Sequence, residues 1–288
     1  MNTNLRNTVL CLCLAALFCC GVVEAQPMLR RSEIGVNGGV MNYIGDLNGQ
    51  SMFGKVNPAL GVLYRINFDN RWAFSLGASH GHVEGGNPDV IVRRNLSFRS
   101  MIGEGWMRAE FNFLPFGRAA DDKQWTPYIF GGVGFFTFNP QAQYPDPATG
   151  LLTWYDLQEL GTEGQGLAQY PERTKYSLVQ MMFPFGLGVK LRAADWLTVA
   201  LEYGFRKTWT DYIDDVSTTY VDVSLLHNDI AERLADRSGE VVEGYSNEPG
   251  IKRGDDSLDD WYAYLNLSLT MRMDKVFFWV GKKRCDLK

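Results

Sequence analysis

The chain has 288 residues, a formal net charge of −5 and an aromatic content of 13%. That mildly acidic balance excludes a basic nucleic-acid-binding surface. Beyond the N-terminal leader no segment approaches about twenty uninterrupted apolar residues, the length an α-helix needs to cross a bilayer, so a membrane-embedded form has to be a β-barrel.

The leader MNTNLRNTVLCLCLAALFCCGVVEAQ has a basic start at Arg6, an apolar run from Val9 to Val23, and Val23-Glu24-Ala25 before Gln26. This is the pattern of a cleaved signal peptide over residues 1–25, and residues 26–288 are expected to form the barrel domain. Phe18, preceding Cys19, is too large for a lipobox. Cleavage removes Cys11, Cys13, Cys19 and Cys20 and leaves Cys285, so no intramolecular disulfide is expected.

Strict alternation then recurs, and alternation means strands because successive side chains point to opposite sides. Residues 33–44 set Ile34, Val36, Val40 and Ile44 against Glu33 and Asn37. Residues 58–68 set Leu60, Val62, Tyr64 and Ile66 against Arg65 and Asn67. Residues 72–81 set Trp72, Phe74 and Leu76 against Ser75 and Ser79, and residues 97–113 set Met101, Met107 and Phe111 against Glu104, Arg108, Glu110 and Asn112. Residues 127–138 are apolar on both faces, which leaves their orientation open. Residues 177–191 oppose Leu187 and Val189 to Lys190, and residues 196–208 oppose Leu201 and Tyr203 to Glu202 and Arg206. In the last strand, 261–273, Leu265, Leu267 and Leu269 alternate with Asn266, Ser268 and Arg272.

Eight strands result, and their connections alternate in length. DNR (69–71), RAAD (192–195) and the 114–125 link are short, whereas residues 139–176 and 209–260 make two long links. Short turns at one end and long loops at the other are the outer-membrane pattern, so the expected fold is an all-β, eight-stranded antiparallel transmembrane barrel with its leucines toward lipid. Pro184 falls in mid-strand and predicts a bulge. Residues 224–238 carry Leu225, Leu226, Ile230 and Leu234 at helical spacing, with Ser224 as the expected N-cap. YPDPATG (144–150) and DLQELGTEGQG (156–166) read as turns around one short helix.

The polar face carries the first candidate site, a lumen charge network of Arg65, Glu104, Arg108, Glu110, Lys190, Glu202, Arg206 and Arg272. Charges of opposite sign enclosed together must pair, and an eight-stranded interior is only wide enough for side chains to fill it. The expected result is a sealed barrel rather than a conduit. His80 and His82 share a strand face near Ser79 and Glu84, the residue types of a small lipid-modifying enzyme, although adjacency in sequence alone does not make a triad. A passive narrow pore is a third reading. DYIDD (211–215) and GDDSLDD (254–260) lack the spacing of a calcium hand and read as solvated loop charge, and His227 as a helix-capping or solvated residue. No nucleotide motif occurs, and neither cofactor nor metal is expected.

EIGVNGGVMNYIGDLN (33–48), NLSFRSMIGEG (95–105), TPYIFGGVGFFTFNPQAQY (126–144), LGTEGQG (160–166), YGFRKTWTDYIDDVSTTY (203–220) and LADRSGE (234–240) together resemble PorG-like proteins, outer-membrane barrel components of the type IX protein secretion system. The resemblance implies a non-enzymatic barrel in the outer membrane, associated with a periplasmic ring formed by a lipoprotein and its partner protein. It brings no catalytic residues. Family members often carry a Cys-Pro near the C-terminus, whereas here Asp286 follows Cys285. The expected periplasmic surface comprises 26–32, 69–71, 114–125, 192–195 and the tail 275–288, with Phe277, Phe278, Trp279, Lys282, Lys283 and Arg284 as candidate partner contacts.

Overall fold

The computed structural model describes residues 31–47, 55–86 and 94–276. The expected signal peptide and the candidate tail contacts Phe277, Phe278, Trp279, Lys282, Lys283 and Arg284 lie outside the described residues.

Eight strands close into an antiparallel barrel: β1 (Ser32–Ile44), β2 (Val56–Asn67), β3 (Trp72–Gly86), β4 (Ser97–Asn112), β5 (Trp125–Thr137), β8 (Val179–Ala194), β9 (Leu197–Thr208) and β10 (Trp261–Arg272). β1 pairs with both β2 and β10, and β3 pairs with β4, so the ring has no open edge. Closure satisfies every strand without water, as a bilayer demands. The burial pattern is inverted relative to a soluble protein. Leu60 (71% exposed), Leu187 (62%) and Leu201 (53%) point outward, while Arg65, Glu110 and Lys190 are buried inside. Leaving so many large aliphatic side chains in water forgoes about 1.5–3 kcal/mol each, which only a lipid surround recovers. Trp72, Phe113, Trp125 and Trp196 ring the end with the short turns, and Phe135, Phe183 and Trp209 the other, as interfacial girdles do.

β5 resolves the orientation that its sequence left open. Ile129, Val133 and Phe135 face out, and Tyr128, Phe130 and Phe136 fill the lumen. Room for Phe130 comes from Gly186 and Gly204, which oppose each other on β8 and β9; a Cβ on either glycine would stand 2.8 Å from the Phe130 ring.

Pro184 does not produce the expected bulge. The β5–β8 pairing has the same register on either side of it, with Gly131↔Phe185 and Gly134↔Met182, and Pro184 stays opposite Arg206 on β9. The ladder accommodates the missing N–H by a local gap toward β5. The register shift of β8 lies instead at Arg192–Ala194, beside its short turn.

The long links fold over one mouth as a cap. Residues expected as turns contain a hairpin, β6 (Pro140–Pro145) and β7 (Leu152–Asp156), followed by the short helix α1 (Leu157–Leu160), which ends on left-handed Gly161. In the last link, a 3-10 turn at Val223–Leu225 is separate from helix α2 (Asp229–Ala235). The N-cap of α2 is therefore Asn228, whose side chain accepts from the Ala231 N–H at 2.8 Å, and not Ser224. His227 is exposed beside this cap.

An outward arginine tests the lipid-facing assignment. Leu201→Arg, at mid-belt, should destabilise the barrel folded into vesicles by about 2–4 kcal/mol in urea titrations. Leu258→Arg, at an exposed loop position, should stay within about 0.5 kcal/mol of wild type.

Candidate functional site

The lumen is filled from the periplasmic end by charge. Alternation on β2, β4, β8 and β9 aims Arg65, Arg108, Glu110, Lys190, Glu202 and Arg206 at one axis. Glu110 is the hub. Its carboxylate meets Arg65 Nε at 2.9 Å, Lys190 Nζ at 2.6 Å, Arg108 Nη2 at 3.3 Å and the Ser75 hydroxyl at 2.6 Å. Arg108 also clasps Glu202 with both terminal nitrogens at 2.6 Å and lies between the rings of Trp106 and Phe130. Tyr128 donates to the same Glu202 at 2.6 Å. Arg65 reaches on to Glu33 at 3.2 Å, and Lys190 donates to Asn112 at 2.9 Å. One layer higher, Arg206 pairs bidentately with Glu104 (3.0 and 3.1 Å), which also accepts from Tyr262 at 2.8 Å.

Four buried cations (Arg65, Arg108, Lys190 and Arg206) thus face four buried carboxylates (Glu33, Glu104, Glu110 and Glu202), and the plug is neutral. Arg272 is not part of it. It stands at the periplasmic mouth on Asp274, because β10 ends there. The carboxylate that completes the plug, Glu33, was visible in the sequence as the polar position of the first strand, yet its partner lies on the neighbouring strand. Above the charges the lumen turns apolar. Met41, Val83, Phe98, Ile102, Phe136 and Met182 pack against Leu157, Ile213, Val216 and Leu234 of the cap. An aromatic column, Tyr262, Phe136, Phe138, Tyr176 and Tyr212, runs from barrel to cap with ring centroids 4.4–6.0 Å apart.

The cap has its own polar centre. The Glu163 carboxylate accepts from the Ser217 N–H (2.9 Å), the Thr218 N–H (3.1 Å) and hydroxyl (2.7 Å), and Arg253 (3.0 Å). Arg253 also donates to the Asp215 and Ala235 carbonyls. Asp215 adopts a left-handed φ of 65°, which a non-glycine residue holds only where its surroundings fix it. Its carboxylate accepts from Thr162 and Tyr176, and burial pushes it up to about 6. The expectation of solvated loop charge fails here: Asp211, Asp214, Asp215 and Asp260 are buried, because the two acidic segments fold onto each other and onto β1. Asp256 stays exposed.

His80 is exposed and His82 half-buried on the outer face of β3, with His82 Nε2 3.7 Å from Glu84, whereas Ser79 points into the lumen. The serine and the histidines occupy opposite faces, so the residues considered for a lipid-modifying triad do not converge. Among the described residues no group of three or more His, Cys, Asp or Glu side chains is arranged to hold a metal.

At the periplasmic mouth a concavity of about 470 Å³ is lined by Arg31, Asn67, Asp69, Phe116, Arg118 and Arg272. Arg118 donates to the Asp195 carbonyl at 2.7 Å and reaches Glu33 at 3.5 Å, tying this rim to the plug. The N–H groups of Trp72 and Arg71 hold the Asp69 carboxyl below its ordinary range.

A family described as a domain of unknown function (DUF6089) matches residues 9–147. No curated protein matches the chain in sequence. Among solved structures, Neisserial surface protein A is similar at 6% identity and a TM-score of 0.40, over 84% of this chain and 96% of that one. The attachment invasion locus protein Ail of Yersinia pestis, in complex with the heparin analogue sucrose octasulfate, is similar at 8% identity and a TM-score of 0.38, over 84% and 98%. The outer membrane protein OprG from Pseudomonas aeruginosa is similar at 12% identity and a TM-score of 0.37, over 84% and 96%.

Removing one member of the plug strands its partners without water. Glu110→Ala should cost about 3–5 kcal/mol, read as a lower urea midpoint for loss of the folded band's gel mobility. Replacing Glu104 and Arg206 together by methionine should cost far less than the sum of the two single changes, since the double variant leaves no orphaned charge.

Proposed function

We propose that this protein is a non-enzymatic outer-membrane barrel that anchors or scaffolds the type IX secretion machinery at its periplasmic ring, and that export of secreted proteins needs it. The observation that carries the reading is the neutral plug beneath a packed cap. A barrel closed at both levels transmits no polypeptide, so a role in export has to run through its surfaces. The sequence blocks that resemble PorG-like proteins support the particular machinery. Several of them, 160–166, the part of 203–220 that follows β9, and 234–240, build the cap, and the first supplies Glu163 of its Glu163–Arg253 centre.

The partners in this reading are the ring lipoprotein and its partner protein, met at the periplasmic turns. Within the described residues the concavity beside Arg31, Asp69 and Arg118 is the place for a protruding partner side chain. Signal-peptide cleavage after Ala25 delivers the chain to that compartment.

An affinity tag inserted in the exposed β6–β7 turn (147–150) allows the outer membrane to be extracted in mild detergent without touching the periplasmic face. Stoichiometric recovery of the ring lipoprotein and its partner is the expected outcome. Recovery of the barrel alone, with the ring intact elsewhere in the extract, would overturn the reading. In planar bilayers the purified barrel should give no steady single-channel conductance. A stable conductance would favour a passive narrow pore instead.

A further inference from the structure

The junction between cap and barrel contains a hydrogen-bond arrangement that fixes a proton count. The Tyr43 hydroxyl, at the upper end of β1, lies 2.7 Å from Asp214 Oδ2 and also within hydrogen-bond distance of Asp260 Oδ1. The other oxygen of each carboxyl is already engaged. Asp214 Oδ1 accepts from the Val216 N–H at 2.9 Å, and Asp260 Oδ2 accepts from the Ile213 N–H at 2.8 Å. A phenol has one proton to give. It satisfies one carboxylate, and the second contact holds only if that carboxyl carries its own proton and donates to the phenol oxygen. With both carboxyls ionised, one oxygen faces the hydroxyl with no hydrogen between them, in a site where all three side chains are buried.

We propose that Asp214, Tyr43 and Asp260 form a one-proton latch that fastens the cap to the barrel, closed while one carboxyl is protonated and loosened when both are ionised. The surroundings favour the closed form. The charged groups acting on the pair are Asp46 from the β1–β2 link, Asp211 from the same cap segment, and Arg253 from the cap centre. Asp46 accepts from the Asp255 N–H at 2.6 Å, and the Arg253 guanidinium is held by Glu163. Asp211, itself buried, adds a further carboxyl disfavouring ionisation of the pair. Burial, and after it the nearby carboxylates, push Asp214 up to about 8 and Asp260 upward as well, against the hydrogen bonds from Tyr43 and the backbone and, for Asp214, the charge of Arg253, which all act to lower them.

The sign follows from proton linkage. An opened cap exposes carboxyls of ordinary pKa, about 4, so the closed cap binds the extra proton between pH 4 and pH 8. Closure is strongest in acid, weakens as pH rises through that window, and levels off above it. The latch places a pH-responsive contact at the outer face of the barrel, remote from the periplasmic mouth.

Hydrogen exchange on the full-length protein in lipid nanodiscs tests this, with rates corrected for the intrinsic pH dependence of exchange. Protection of the segment containing the Ile213 and Val216 amides should fall about tenfold per pH unit between pH 5 and pH 8, the slope for release of one proton. In Asp214→Asn the amide oxygen can still accept from Val216, and its NH2 stands where the carboxyl proton stood. That variant should keep high protection at pH 8, with the slope reduced by about one logarithmic unit per pH unit. Asp260→Asn carries the same expectation and replaces it if the first variant does not fold. A flat wild-type profile, or an unchanged slope in the folded variant, would overturn the latch.

Discussion

Glu110 collects three cations and a serine hydroxyl around one carboxylate at the axis of an eight-stranded ring, and most of the interior follows from that contact. Arg65 and Lys190 reach it from β2 and β8, strands that do not pair with each other or with β4, so the side-chain network ties the ring across its diameter. Backbone ladders fix neighbours only. A barrel held by ladders alone could flatten, whereas the Glu110 hub and the Glu104–Arg206 pair set the distance between opposite walls. Such pairs are costly to desolvate, and their value here is less in net stability than in making every alternative register leave a charge alone.

The outward face imposes the complementary constraint. Every second residue of each strand must suit lipid, which forces the polar share of the sequence inward, where only mutual neutralisation makes it tolerable. Four cations against four carboxylates is what that pressure yields in a lumen too narrow for bulk water. The upper half reaches the same end by other means, filling the ring with Phe136, Ile102 and Met182 and covering them with Ile213 and Val216 from the cap.

What was legible in the sequence was whatever repeats locally. Period-two alternation placed all eight barrel strands, and the charged positions of β4, β8 and β9 faced inward because the pleat leaves them no choice. β5 resisted because both its faces are apolar, one meeting lipid and the other filling space around Phe130. The hairpin β6–β7 was hidden by its shortness and by Pro140 and Pro145 at the two ends of β6. The cap was illegible for a stronger reason. Glu163 finds its donors at 217, 218 and 253, and Asp260 pairs with Tyr43, separations at which composition alone cannot distinguish a buried acid from a solvated one.

The two ends of the molecule are therefore different kinds of surface. The periplasmic end is a set of tight turns braced by arginines onto backbone carbonyls, as Arg31 onto Phe68 and Arg118 onto Asp195, and the tie from Arg118 to Glu33 makes its shape rigidly coupled to the plug. The outer end is a folded cap whose contacts depend on buried carboxyls and on Asp215 held in a left-handed conformation, features that persist only while the surrounding packing enforces them. If either end can rearrange at modest cost it is the cap. Opening the periplasmic end would break the Glu33–Arg65–Glu110 chain and with it the cross-ring bracing, whereas loosening the cap leaves the charged plug intact. The sealed lumen thus lets the outer face change state without breaching the membrane.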